Sequence, residues 1–471
     1  MQPLIRFFMW TLVLSFGVFV AMAIPHLQGT NRVLWFLSTF FIGAGIALVG
    51  KKCGRGALLL AIPISVLLAN EVVVYVWPPQ VQRNIFHAFN KIAKRDDVYQ
   101  QLRQQLLPVA WQTLHVPPEL QQGWDAGEQK LAIANGVQVN LFSTGLIKPH
   151  SVIVDDKGVV FVSLPVLGQV ISIHDDDSDH IGEKIVVFAS GLKQPSGMVF
   201  KDSELWVATA TKLLTMADDN HDYVADSIKV VNDKLPQLKY NKFHALAVGQ
   251  DNHVYISVGS DAGDSGWQQA SVLRLQDDDE LHPFATGIYD CQGLAVHPKS
   301  GSLWCSENGP ETIGYFVHPD ELNVLRAQGD YGWPFCYGDR LPDAKLGSTE
   351  ICQATQPALM KLPAHSTPRG LTFGADLRAP QLFKAMLYLV LQGNMSRKSQ
   401  QGFRLMGVPL DDEGRITGWG IDLVSGWSGD GQPWGQPTDC VVGKDGCLYL
   451  TDKLAGAVYR ISFEAGDNEF L

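Results

Sequence analysis

The chain has 471 residues, too many for one ordinary core and suited to one large repeat fold or two domains. Its formal net charge is −11, with 37 lysines and arginines against 48 aspartates and glutamates. This excludes a nucleic-acid partner, because phosphate binding needs concentrated basic side chains.

In chain order, the first feature is apolar. Phe7 to Ala23 and Val33 to Gly50 carry no charge, and Ala57 to Trp77 carries only Glu71. Each approaches the ~20 residues that cross a bilayer. A signal peptide explains the first stretch but not all three. Residues 1–80 are therefore predicted to form a membrane domain of three transmembrane helices. Arg6, Lys51, Lys52 and Arg55 flank the ends that face the cytoplasm. That places the rest of the chain in the periplasm of a Gram-negative cell, on a multi-pass inner-membrane anchor with lipid as a partner.

Residues 81–127 read as a helical linker. Ile85, Phe86, Phe89, Ile92 and Ala93 follow helical spacing, and Pro108 kinks or ends the helix.

From about residue 128 to 465 the texture changes to short strands and Gly/Asp turns. One unit recurs, beginning at Pro149, Pro195, Phe243, Cys291, Pro368 and Pro437. Each holds an apolar inner strand, a turn, an aromatic-rich strand, a loop and two further strands. Six four-stranded units repeated radially predict an all-β, six-bladed β-propeller. The starts of the inner strands gather at one mouth of its channel and contribute His150, Ser196, His244, Gln292, Arg369 and Asp439. A ligand cavity belongs there.

The seven cysteines fit this placement: Cys53 falls between apolar stretches, and six lie beyond, where disulfides persist. Sequential pairing of Cys291 with Cys305, Cys336 with Cys352 and Cys440 with Cys447 is one of several connectivities. In the second unit, "DDNHDYVAD" places Asp218, Asn220, Asp222 and Asp226 like the first ligands of a calcium loop, though without the glycine and final glutamate of an EF-hand.

The run "FATGIYDCQGLAVHPKSGSLWCSENGPE", with "DELN" from Asp320, "GDYGWPFCYGD" from Gly329 and "PAHSTPRGLTF" from Pro363, resembles the glucose/sorbosone dehydrogenase family. The resemblance covers about residues 129–463. It implies a six-bladed propeller that binds pyrroloquinoline quinone (PQQ) with calcium and oxidises small sugars or aldehydes. It also implies that the backbone carbonyls of Gly309 and Pro310 hold the calcium. Transfer of electrons to a respiratory quinone or cytochrome would follow.

The chain departs from the family in several places. The family's catalytic histidine falls in "PSGMVFK", which has none. Gly263-Asp264 replaces an Arg-Asn pair, and Gln436 replaces arginine. Arg369, Arg397 and Lys398 remain as cations for the quinone carboxylates, with Gln292 and Asp439 beside them. His150, His244 and His365 are candidates for the base. Two other classes stay open: a non-catalytic propeller that binds sugars or envelope partners, and a calcium-dependent lactonase-type hydrolase.

Overall fold

The computed structural model describes residues 106, 109–239, 243–261, 269–310, 318–395, 401–428 and 432–464. The three predicted transmembrane helices lie outside the described residues, as do Arg397 and Lys398. Among the described residues no helix is long and apolar enough to cross a membrane.

Six antiparallel sheets follow one another along the chain. The first blade runs Val152–Val154, Val160–Leu164, Gln169–His174 and Lys184–Ala189 from the channel outward. The second runs Met198–Lys201, Glu204–Ala208, Leu213–Ala217 and Ser227–Asn232. The third starts at Leu246–Val248, the fourth at Cys291–Val296, the fifth at Pro368–Phe373 and the sixth at Pro437–Val442. These six inner strands pack side by side in a closed ring, sixth against first. The predicted all-β propeller is what the chain forms.

The ring closes on a strand from its own beginning. Val137–Ser143 pairs antiparallel with Ala457–Phe463 and is the outer strand of the sixth blade. Just before it, Ala110–Thr113 and Lys130–Ile133 extend the fifth blade beyond its outer strand Ile421–Ser425. The tail of the predicted helical linker is thus strand. Pro108 lacks the N–H a helix would need there, and the fifth blade offers an open edge to pair with.

Apolar residues from adjacent blades interlock. Phe161 of the first blade packs edge-on against Phe188 at 5.2 Å and Phe200 of the second at 5.3 Å. Trp304 of the fourth blade and Leu387 and Leu389 of the fifth are buried in one cluster. The core is therefore a ring of interblade seams, with strands apolar on both faces.

Two of the three cysteine pairings form: Cys291–Cys305 and Cys336–Cys352, with Cα separations of 5.8 and 5.6 Å. Cys440 and Cys447 are free and buried. Their hairpin register explains this. Cys440 lies opposite Leu450, while Cys447 closes the turn against Gly443. Three residues of strand separate them, roughly 10 Å, beyond the reach of a disulfide.

Candidate active site

The inner strands enclose a cavity of about 300 Å³ along the channel, lined by His150, His244, Gln292, Arg369 and Asp439 among others. Five side chains placed at one mouth by the repeat register thus line one cavity. Ser196 does not line it, because its hydroxyl turns back onto the carbonyls of Ala208 and His244. His365 is buried but lies away from it, in a loop where its φ is +65°.

The second blade's mouth is bare. A Cβ on Gly197 would collide with the His244 carbonyl, so the chain carries only Ser196-Gly197 where a larger side chain would stand. His150 covers this gap from the first blade. Its ring lies 4.5 Å from that of Phe243, which leads into the third blade. Both ring nitrogens are buried without a hydrogen-bond partner. Burial, then Arg369 and Lys453, hold its pKa well below the ordinary value, so the ring is neutral.

His244 is placed differently. Its Nδ1 meets the Ser257 carbonyl at 2.7 Å, which sets the ring, while Nε2 has no partner. Burial lowers its pKa too, against the pull of the Ser257 and Ala210 carbonyls.

The cationic side of the mouth is built on Arg369. Its Nη1 donates to Gln292 Oε1 and its Nε to Gln392 Oε1 at 3.1 Å. Two neutral amides thus orient the guanidinium without cancelling its charge. Gln292 is held in turn by Asp290, and Gln392 Nδ-side amide donation reaches Thr438 Oγ1 at 3.2 Å. Lys453 stands beside Arg369 and Lys148; burial and these two cations lower its pKa to about 8. Asp439 accepts from the Ser151 hydroxyl at 2.7 Å and the Val152 N–H at 3.1 Å. Burial raises its pKa to about 6, while Arg369 opposes the rise.

The opposite side is anionic. Gly309 and Pro310 line a small cavity of about 20 Å³ with Glu307, His318 and Glu321, next to the channel rather than in it. The Gly309 N–H donates to Asp320 Oδ1 at 2.8 Å. Asn323 Nδ2 donates to both Glu307 Oε2, at 2.9 Å, and Glu321 Oε2, at 3.1 Å. Burial raises both glutamates, and Glu321 raises Glu307 further. Asn308 Oδ1 is buried without a partner.

These donors fit PQQ and calcium. Arg369 and Lys453 suit carboxylates, and a buried carboxylate pair beside the Gly309–Pro310 turn suits a hard cation. Lys453, Gln392 and the Glu307–Glu321–Asn323 cluster were not singled out in the sequence. Lys453 could have been found in "DKLAG", a mouth loop by the repeat register. The glutamate cluster gave no signal, since its members come from separate strands.

The predicted calcium loop lies at the other end of its blade. Asp218 accepts from the N–H groups of Asp222 and Tyr223, and Asp226 from those of Asp219 and Asn220. Asn220 Nδ2 reaches Asp222 Oδ2 at 3.2 Å. Among the described residues, the carboxylates that converge within 4.8 Å are Asp175, Asp179 and Glu183, in the matching turn of the first blade.

The fold and the mouth together define a six-bladed propeller with a histidine-bearing channel between a cationic and an anionic wall. Residues 138–328 match a family profile described as a domain of unknown function, DUF7133. An uncharacterized protein of Borreliella burgdorferi is 22% identical over 71% of this chain and 91% of its own length. The aldose sugar dehydrogenase YliI of Escherichia coli is 26% identical over 45% of this chain; the match spans 57% of that relative. Among solved structures, a calcium structure of the Trichoderma reesei carbohydrate-active enzyme family AA12 superimposes with a TM-score of 0.63 at 16% identity, covering 71% of this chain and 97% of that one. The holo PQQ domain of pyranose dehydrogenase from Coprinopsis cinerea gives 0.61 at 16% identity, with the same coverage. The resemblance to PQQ-dependent sugar dehydrogenases holds at the level of the fold.

Proposed function

We propose that the chain is a PQQ- and calcium-dependent dehydrogenase of small sugars or aldehydes. Its apolar N-terminal stretches anchor it in the inner membrane, the propeller stands in the periplasm, and electrons pass to a respiratory quinone or cytochrome. The observation that carries the reading is His150: a neutral, unpartnered imidazole in the channel, beside two cations.

When bound, PQQ supplies a two-electron acceptor and calcium polarises it. The chain's residues do the rest. Arg369 and Lys453 hold carboxylates. Gln292 and Gln392 fix the guanidinium. The Gly309 and Pro310 carbonyls, with the nearby carboxylates, take the cation. His150 accepts the substrate hydroxyl proton on its bare imidazole, at Nδ1 or Nε2, and so takes over from the histidine missing in the second blade.

The test is a PQQ titration of the full chain with and without calcium, followed by quinone absorbance and then by addition of aldoses and aldehydes. Calcium-dependent binding with sugar-driven bleaching is the expected result. No binding at saturating calcium refutes the reading and leaves a non-catalytic propeller.

A further inference from the structure

The largest described cavity outside the channel lies on the rim of the propeller. A groove of about 670 Å³ runs between the outer strands of the fourth and fifth blades, with Met360, Leu362 and Met406 in its floor. Leu106 and Val109, among the first described residues, form one wall, and Trp419 forms another. Trp419 is 68% exposed, and Trp111, two residues beyond Val109 on the edge strand, is 67% exposed. Strand alternation puts Val109 and Trp111 on the same side of that strand. Trp111 lies over Gly426, at the far end of the strand that follows Trp419.

Indoles this large are rarely left in water singly, and here two of them frame an apolar groove. The local charge differs from that of the whole chain. Lys130 and Lys361 are exposed beside the patch, and the carboxylate there, Asp422, is paired with Arg404 at 2.6 Å. Upstream, the chain holds three uncharged or nearly uncharged stretches of bilayer length, the last ending at Trp77. The described chain therefore begins at the one rim that carries exposed tryptophan, apolar groove and flanking lysine together.

We infer that this rim of the fifth blade is a membrane-surface face, with Trp111 and Trp419 seated among phospholipid headgroups and the groove taking up apolar lipid surface. Tryptophan favours this interface because its ring is apolar and its N–H is wet, and flanking lysines complement anionic headgroups. The channel mouth, at the end of the propeller, then stays open to water. The inference rests on the anchored reading proposed above.

The experiment is hydroxyl-radical footprinting by mass spectrometry on the full chain, in phosphatidylethanolamine/phosphatidylglycerol nanodiscs and in amphipol. Trp111 and Trp419 are expected to oxidise about five-fold more slowly in nanodiscs, as lipid-seated indoles should. Val230, exposed on the second blade's outer strand, and Val166, exposed in a mouth loop, should react equally in both. Equal reactivity of the two indoles in both media overturns the docking face and leaves the anchor standing. Protection in amphipol as well as nanodiscs also overturns it, since protein rather than lipid then covers the rim. A chain that stays out of nanodiscs and remains soluble without detergent overturns the anchor and the docking face together.

Discussion

His150 and Lys453 stand in the same mouth, and burial lowers both pKa values, with opposite consequences for pH. A base works in its neutral form, so a pKa held well below 6.5 moves the acid limb of kcat/KM below that pH. Activity should stay flat from pH 8 to below 6.5. His150→Gln should lower kcat by about 100- to 10,000-fold while PQQ binding, read by absorbance, is kept. Lys453 works as a cation, which it is below about 8. PQQ affinity should therefore be constant at lower pH and fall as pH rises past 8. Lys453→Gln should bind PQQ weakly throughout and lose that slope. If the slope survives the substitution, another cation holds the carboxylates. His150 was legible in the sequence because propeller register puts the start of every inner strand at one mouth. Its rank above His244 and His365 was not, since that depends on which ring nitrogens find partners.

At the scale of the element, the turn after Leu448–Asp452 shows how a buried charge organises a mouth loop. Asp452 is fully buried. Its Oδ1 accepts from the N–H groups of Gln436, Leu454 and Ala455 at 2.7–3.0 Å, and its Oδ2 accepts from the Tyr459 hydroxyl at 3.1 Å. Burial outweighs these donors and raises its pKa from 3.8 to about 6. The folded state then binds more protons than the unfolded state between about pH 4 and 6. Stability from this group is thus full below the unfolded value and is lost as pH rises through 6, by about 3 kcal/mol. Asp452→Asn keeps an oxygen for the three N–H groups and should flatten this slope in urea midpoints measured from pH 4 to 7. The strands around this turn were readable from their alternation and Gly/Asp turns. The strand Ala110–Thr113 was not, because nothing local distinguishes it from the end of an amphipathic helix; the open edge that recruits it belongs to a blade almost 300 residues later. The unpaired Cys440 and Cys447 are a similar case. Both flank a hairpin turn, but bonding depends on register, which spacing alone does not report.

The whole ring depends on one seam, where the beginning and the end of the propeller meet in a single sheet. A blade elsewhere is continuous in sequence and can re-form locally, whereas the sixth blade exists only when residues more than 300 apart are brought together. Tyr459 sits at this seam. It is fully buried in the cluster that joins Leu131, Leu141, Trp427 and Leu450, its hydroxyl donates to Asp452, and Trp427 Nε1 donates to it at 3.3 Å. Tyr459→Ala opens a cavity and leaves Asp452 and Trp427 each short of a partner, so a loss of about 3–5 kcal/mol is expected. Because the seam closes the ring, the variant should unfold the propeller as one transition at lower urea, with its slope preserved. Ile228→Ser, on the exposed outer strand of the second blade, should change stability by no more than about 0.5 kcal/mol. If Tyr459→Ala instead gives two transitions, with the sixth blade melting first, closure is a local lock and the other five blades hold without it.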